Sequence, residues 1–249
     1  MAEHLGRLIE WESDVRYREP AENVDDRIGR VVGPVPVLLS APHGALHTRR
    51  GTLKEEEEFT AALVCRAAEM SGANAIYTRR RSPTDPNWYG NVPYKRRLEA
   101  LAEELELRFL IDVHGTAPER GFGMALGTME GRSCPKERDG ILATLNAHGF
   151  RPNAAFPDRL DVDETFTGSG VEGQETVTAY ASHSLGVPAA QFELHPLLRV
   201  VERREDASLP RPFHGDPARI ERVIEMLVAL VAAVGAEQAA GHIVEGAGG

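Results

Sequence analysis

The chain reads as a single α/β domain: a mostly parallel or mixed central sheet flanked by helices. Three observations predict this. Apolar, strand-like runs alternate with helical segments between residues 35 and 113, the rhythm that lays parallel strands beneath helices. A further apolar run, Pro188-Ala189-Ala190-Gln191-Phe192, returns late in the chain as a buried strand. The length, 249 residues, suits one large core, and no internal repeat or clear linker divides it.

Residues 1–34 are polar with scattered apolar positions and read as an edge hairpin or a lid. Residues 35–40 form the first strand, with Pro36 near its start because proline cannot donate to a ladder. Residues 55–71 read as a helix, since Phe59, Leu63, Ala67 and Met70 recur at three to four residues. Its first turns would hold Glu55 to Glu58, where a helix end favours negative charge. Residues 73–78 form a second strand, ended by Arg79-Arg80-Arg81. Pro83, Pro86 and Gly90 make 82–92 a long loop. Residues 93–107 form a charged amphipathic helix and 108–113 the third strand. Residues 122–126 read as another strand, and 135–148 as a helix closed by Gly149. The Asp-, Thr-, Gly- and Pro-rich segment 151–175 reads as a loop over the site. A short helix at 174–185 precedes the strand at 189–194. Asp216 as N-cap and Pro217 in the first turn open a closing helix over 218–234, and the Gly-rich tail is expected to fray. Residues 1–249 therefore count as one domain, with its recognisable core at about 35–200 and its closing helix within 216–235.

The 28 basic and 38 acidic residues give a net charge of -10, which disfavours a nucleic-acid backbone as partner. The local basic patches Thr48-Arg49-Arg50 and Arg79-Arg80-Arg81 suit a small anionic substrate better. The two cysteines, Cys65 in a helix and Cys134 in a loop that could expose it, make no disulfide framework. The N-terminus lacks a continuous apolar signal segment. The most apolar stretch, 223–234, contains Glu225 and is too short to span a bilayer. A cytoplasmic protein with no membrane partner is expected. A homo-oligomer is compatible with the sequence.

Chemistry concentrates at three strand ends. Leu38-Leu39-Ser40-Ala41-Pro42-His43-Gly44 delivers one imidazole and Phe109-Leu110-Ile111-Asp112-Val113-His114-Gly115 a second. The late strand leads into Glu193. Ligands and catalytic groups collect at such ends in open α/β sheets. A lone histidine after a strand would merely shape a turn; two in the same context point to a metal. The glycine after each lets the backbone bend and leaves room for a ligand. Zinc takes about three protein donors and keeps a position open for water. The acids at the start of the following helix can supply the third donor, and spacing alone leaves Glu56 and Glu57 equal. Asp112 shares a strand face with His114 and can orient its imidazole or meet substrate. By the same alternation Gln191, Glu193 and His195 share one side, so Glu193 can face a cleft as the base that takes a proton from water.

These segments resemble the N-formylglutamate amidohydrolase family, whose wider relatives are zinc carboxypeptidases and succinylglutamate desuccinylases. The resemblance runs through Ser40-Ala41-Pro42-His43-Gly44, Glu57-Glu58-Phe59-Thr60 with Leu63, Asp85-Pro86-Asn87, Asp112-Val113-His114-Gly115 and Gln191-Phe192-Glu193-Leu194. It implies a zinc-carboxypeptidase-like fold and one zinc ion held by His43, Glu57 and His114. Matching the family's acidic ligand is what favours Glu57 over Glu56. It also implies Glu193 as the catalytic carboxylate and hydrolysis of an amide on a small anionic N-acyl amino acid. A short peptide or peptidoglycan stem amide would use the same chemistry, and a metal-free binding protein of this fold is the non-enzymatic alternative. The sequence departs from the family in two places. Ala45-Leu46-His47 follows His43 where many relatives carry glycine or serine. Asp85-Pro86-Asn87-Trp88 lacks the arginine of the family's Asp-x-Asn-Arg pattern. Asp85 and Asn87 remain substrate-binding candidates, with Arg49, Arg80, Arg81 and Arg199 as candidates for a substrate carboxylate; Arg49 and Arg80 rank first because they lie just after strands.

Overall fold

The computed structural model describes residues 2–245. In chain order the elements are α1 (Ala2–Ser13), β1 (Arg16–Pro20), α2 (Val24–Arg27), β2 (Ile28–Val31), β3 (Val37–Ala41), β4 (His47–Arg49), β5 (Thr52–Lys54), α3 (Thr60–Ser71), β6 (Asn74–Thr78), β7 (Arg80–Arg81), α4 (Pro93–Glu104), β8 (Phe109–Gly115), β9 (Met124–Gly127), α5 (Arg138–Ala147), β10 (Leu160–Val162), α6 (Val177–Ser184), β11 (Ala189–Leu194), a 3-10 turn at Pro196–Leu198 and α7 (Pro217–Glu245). Seven strands form the central sheet in the order β10-β9-β11-β8-β3-β6-β2. Strands β6, β3, β8 and β11 run parallel, while β2 and the β9–β10 pair run against them. The sheet is therefore mixed, a parallel centre with antiparallel edges, as expected of this fold class.

Alternation along the strands feeds two apolar layers. Leu39, Ile111 and Phe192 face the core beneath α1, α3, α5 and α7, with Leu63, Ile224 and Leu227 among its members. Leu38, Leu110 and Ala189 face the second core, beneath α4 and α6, with Leu98, Val177 and Ala181. The chain leaves β3 for β6 on one side and then crosses to β8 on the other. The crevice at the ends of β3 and β8 is thus a topological switch point, where open α/β sheets bind ligands.

Several expectations change. Residues 1–34 form neither a hairpin nor a lid: α1 lies along α3, β1 pairs with β7, and β2 is an edge strand of the main sheet. Segment 151–175 is not all loop, because β10 pairs with β9. Its three residues are too few to show a period. Cys134 is fully buried, like Cys65. The helix expected from residue 55 begins only at Thr60. Phe59 sits in the left-handed region, at φ 64°, and breaks the helical path. The N–H of Thr60 donates to the Glu57 carbonyl at 3.2 Å and its hydroxyl at 2.7 Å. The acids before the helix consequently lie in an irregular segment, in which Glu56, Glu57 and Glu58 each have their own partners. The tail, from residue 246, lies outside the described residues. Among the described residues no helix is long and apolar enough to cross a membrane.

Candidate metal centre

His43 follows β3 and His114 sits near the end of β8, on opposite sides of the switch point. The Glu57 N–H donates to the His43 carbonyl at 2.9 Å, which folds the acidic segment back over the strand end. The Glu57 carboxylate then meets both rings: Oε1 lies 2.7 Å from His43 Nδ1 and Oε2 3.2 Å from His114 Nδ1. The two Nδ1 atoms are 3.2 Å apart. The outer nitrogens are held from behind. His43 Nε2 lies 2.9 Å from Asp85 Oδ1, and His114 Nε2 3.1 Å from Asp112 Oδ2. A carboxylate behind each ring keeps the proton on Nε2 and aims the Nδ1 lone pair inward.

This donor set fits a zinc ion. Four ligands about 2.0–2.1 Å from a tetrahedral centre stand about 3.3 Å from one another. The three separations here, 2.7, 3.2 and 3.2 Å, are of that size. Both histidines are buried, and two facing ring nitrogens need a proton or a cation between them. The titration of the cluster expresses the same demand for positive charge. Burial pulls His43 down, but Glu57 and Asp85 outweigh it and raise the group to about 9. Burial also opposes the charge on His114, and Asp112 and Glu57 raise it well above the usual range. Burial would raise Glu57; the two imidazoles instead hold it well below an ordinary carboxylate.

A second buried group, His43, His47 and Asp85, also brings three donors together. Its rings are stacked, 4.0 Å between centroids and 6° between planes. Lone pairs in two parallel ring planes do not converge, and Arg49 Nε already occupies Asp85 Oδ2 at 2.5 Å. The first group is the better cage.

Glu193 lies on β11 directly across from His114 in the register. Gln191 Nε2 donates to its Oε1 at 2.8 Å. Burial raises Glu193 to about 7, with His114 opposing and Glu57 adding to the rise. It faces a cavity of about 570 Å³ shared with His43, Glu57 and His114. Beyond those groups the polar walls include Arg49, Arg120, Asn87, Gln174, Gln191, Thr116 and the threonines of 165–176, with no further carboxylate among the lining residues.

The sequence candidates separate accordingly. His43, Glu57, His114 and Glu193 come together, with Asp112 behind His114. Glu56 does not join them: the Ser208 N–H and hydroxyl bind its carboxylate at 2.5 and 2.7 Å. Arg49 and Asn87 line the cavity. Asp85 instead backs His43, fully buried, because two imidazoles and a guanidinium surround it. Arg80 lies in β7, outside the cavity, paired with Glu19 and Asp26, and Arg81 beside it is exposed. Arg199 is buried next to the centre, beside a second cavity of about 420 Å³. The glycines after the histidines are close-packing positions. A Cβ at Gly44 would stand 2.6 Å from the Thr78 carbonyl, and one at Gly115 2.7 Å from the Arg199 guanidinium.

Sequence reasoning missed Arg120, which stacks over Phe166 at 5.2 Å on the cavity rim. Its signal was position alone, a cation in the loop that follows a metal-type histidine strand. His195 holds that loop through its Nε2 and the Pro118 carbonyl at 3.0 Å. Lys95 was also missed. It is fully buried under the opposite wall, with Nζ on the Glu175 carbonyl at 2.5 Å and on its carboxylate at 3.1 Å. That bond fixes the start of α6, where Asn87 Oδ1 accepts the Val177 N–H at 2.7 Å.

No family model matches the sequence, and no curated protein matches it. Solved structures do. A protein from Shewanella denitrificans, provisionally described as a carboxypeptidase A, gives a TM-score of 0.52 at 15% identity over 95% of this chain and 69% of that one. A bacteriophage poly-gamma-glutamate hydrolase gives 0.47 at 15% identity, over 90% of this chain and 93% of that one. The succinylglutamate desuccinylase from Chromobacterium violaceum gives 0.47 at 16%, over 92% and 76%. The first likeness shows a carboxypeptidase-like fold. What the site does must be read from its own side chains.

Proposed function

We propose that this protein is a zinc-dependent hydrolase of amide bonds, with His43, Glu57 and His114 as ligands and Glu193 as general base. The observation that carries this reading is the convergence of two carboxylate-backed imidazoles and Glu57 at zinc-like spacing, with Glu193 paired in register beside them. A zinc ion, when bound, supplies a Lewis acid and lowers the pKa of its water. Glu193 takes a proton from the attacking water and returns it to the departing nitrogen. Its raised affinity for protons suits that double duty, since a base near neutrality both accepts and gives. Gln191 holds the carboxylate in place through its amide. Arg49 and Arg120 receive a carboxylate of the substrate, being the cations on the cavity wall.

The substrate class that fits is a small anionic N-acyl amino acid, N-formylglutamate among them, or a short acidic peptide. The cavity volume, about 570 Å³ and adjoining a second of about 420 Å³, favours the larger of these. Rates on a panel of N-acyl amino acids and short peptides separate the two. Glu193→Gln tests the mechanism. It is expected to retain zinc while turnover falls about 10²- to 10⁴-fold, the usual worth of a positioned base. Turnover at the parent rate would remove Glu193 from the reaction.

A further inference from the structure

We propose that Arg199 is the positioning residue that sets the spacing between Glu57, His114 and Glu193. The inference rests on the metal-centre reading above and assigns Arg199 a part other than substrate binding.

Arg199 follows the 3-10 turn after β11 and is 3% exposed. Its guanidinium touches the chain neighbour of each of three site residues. Nε donates to the Leu194 carbonyl, next to Glu193, at 3.2 Å. Nη1 donates to the Glu58 carbonyl, next to Glu57. The flat of the group lies where a side chain at Gly115 would be, next to His114: a Cβ built there stands 2.7 Å from Cζ and Nε and 2.8 Å from Nη2. Two more bonds close the arrangement. The Gly115 N–H donates to Glu57 Oε2 at 2.9 Å, and the Thr116 N–H to the Leu194 carbonyl at 3.0 Å. One rigid planar cation thus spans two strand ends, those of β11 and β8, and the irregular segment before α3, which have no covalent connection near the site.

The chemistry of the contacts sets Arg199 apart from an ordinary ion pair. The Glu58 carboxylate is already taken by Arg203, at 3.0 and 2.9 Å. The named acceptors of Arg199 are backbone carbonyls. Burial makes its charge costly and lowers its pKa, with Glu58 and Glu57 offsetting part of that. A buried guanidinium is retained at such cost where its fixed fork of donors holds several acceptors at once, a task lysine cannot share. Gly115 is the complement: any Cβ there would push the guanidinium off the strand end.

The test combines Arg199→Met, Gly115→Ala and the double variant, each checked for folding by circular dichroism. The affinity for zinc alone is measured by competition with a chromophoric chelator. Each single substitution is expected to weaken zinc binding about 10- to 100-fold, as loss of an outer support does. The double variant is expected to bind no more weakly than the weaker single one, because the added methyl then occupies vacated space. Parent affinity in Arg199→Met, or losses that multiply in the double variant, would overturn the proposal. Hydrogen exchange at the Gly115 amide gives a reading that needs no metal. Protection is expected to fall about tenfold or more in Arg199→Met; unchanged protection also overturns the clamp. If the parent protein binds no zinc, the metal-centre reading fails, and the exchange result alone decides the role of Arg199.

Discussion

Replacing Asp112 with asparagine tests the site where its logic is most exposed. Asp112 is fully buried and lines neither of the two cavities at the centre. Its Oδ1 accepts from Ser40 Oγ at 2.9 Å, and its Oδ2 from Thr178 Oγ1 at 3.2 Å and His114 Nε2 at 3.1 Å. Size and shape barely change in Asp112→Asn, so the fold should survive. With the amide oxygen toward His114, the ring keeps its tautomer but loses the negative charge that strengthens its inner nitrogen as a donor. With the amide nitrogen there, two donors face each other, and the ring must carry its proton on Nδ1, where the cation would sit. Either orientation weakens zinc binding. Outer-shell changes of this kind cost about 10- to 100-fold, or about 1.4–2.7 kcal/mol at 1.36 kcal/mol per decade. Thr178→Val removes one hydroxyl and keeps the charge, so its loss should be only severalfold. Chelator competition measures both, with thermal melts confirming the fold. Parent affinity in Asp112→Asn would mean that His114 needs no carboxylate behind it, and the assignment of Nδ1 as the inner donor would fall.

Two further outcomes are expected. Burial raises the Glu193 carboxyl to about 7. A base works only when ionised, so kcat/KM should fall as the pH drops through that region; a cation in the triad favours the carboxylate and moves the limb to about 7 or lower. The limb should vanish from the residual activity of Glu193→Gln, and its survival there would assign it to another group. Arg120→Ala should raise KM about tenfold for substrates with a carboxylate and leave kcat nearly unchanged, whereas an unchanged KM would place the substrate anion elsewhere.

What the sequence discloses follows the physics of each residue. His43, His114 and Glu193 are legible because polar groups at the ends of apolar runs are costly without a task. Asp112 is legible because strand alternation puts it on the face of His114. The choice between Glu56 and Glu57 is not legible from spacing. That reasoning assumes helical geometry, but the positive φ of Phe59 breaks the helical path and the helix begins only at Thr60, after both acids. The place of Asp85 is hidden for a different reason: its partners His43 and Arg49 lie 42 and 36 residues away, and no period connects them. The same holds for Lys95, whose burial under Glu175 depends on a helix, α4, and a loop that only the folded chain brings together. Strands β2 and β10 escape notice because short edge strands carry little pattern. The central strands are plain because both their faces are covered.

The central claim is that one cation belongs between His43, Glu57 and His114. Anomalous diffraction at the zinc edge, on crystals of protein purified without added metal and then given one equivalent of zinc, tests it directly. The predicted result is a single peak within about 2.0–2.2 Å of His43 Nδ1, Glu57 and His114 Nδ1. A peak between His43, His47 and Asp85 instead, or density at neither place, would contradict it.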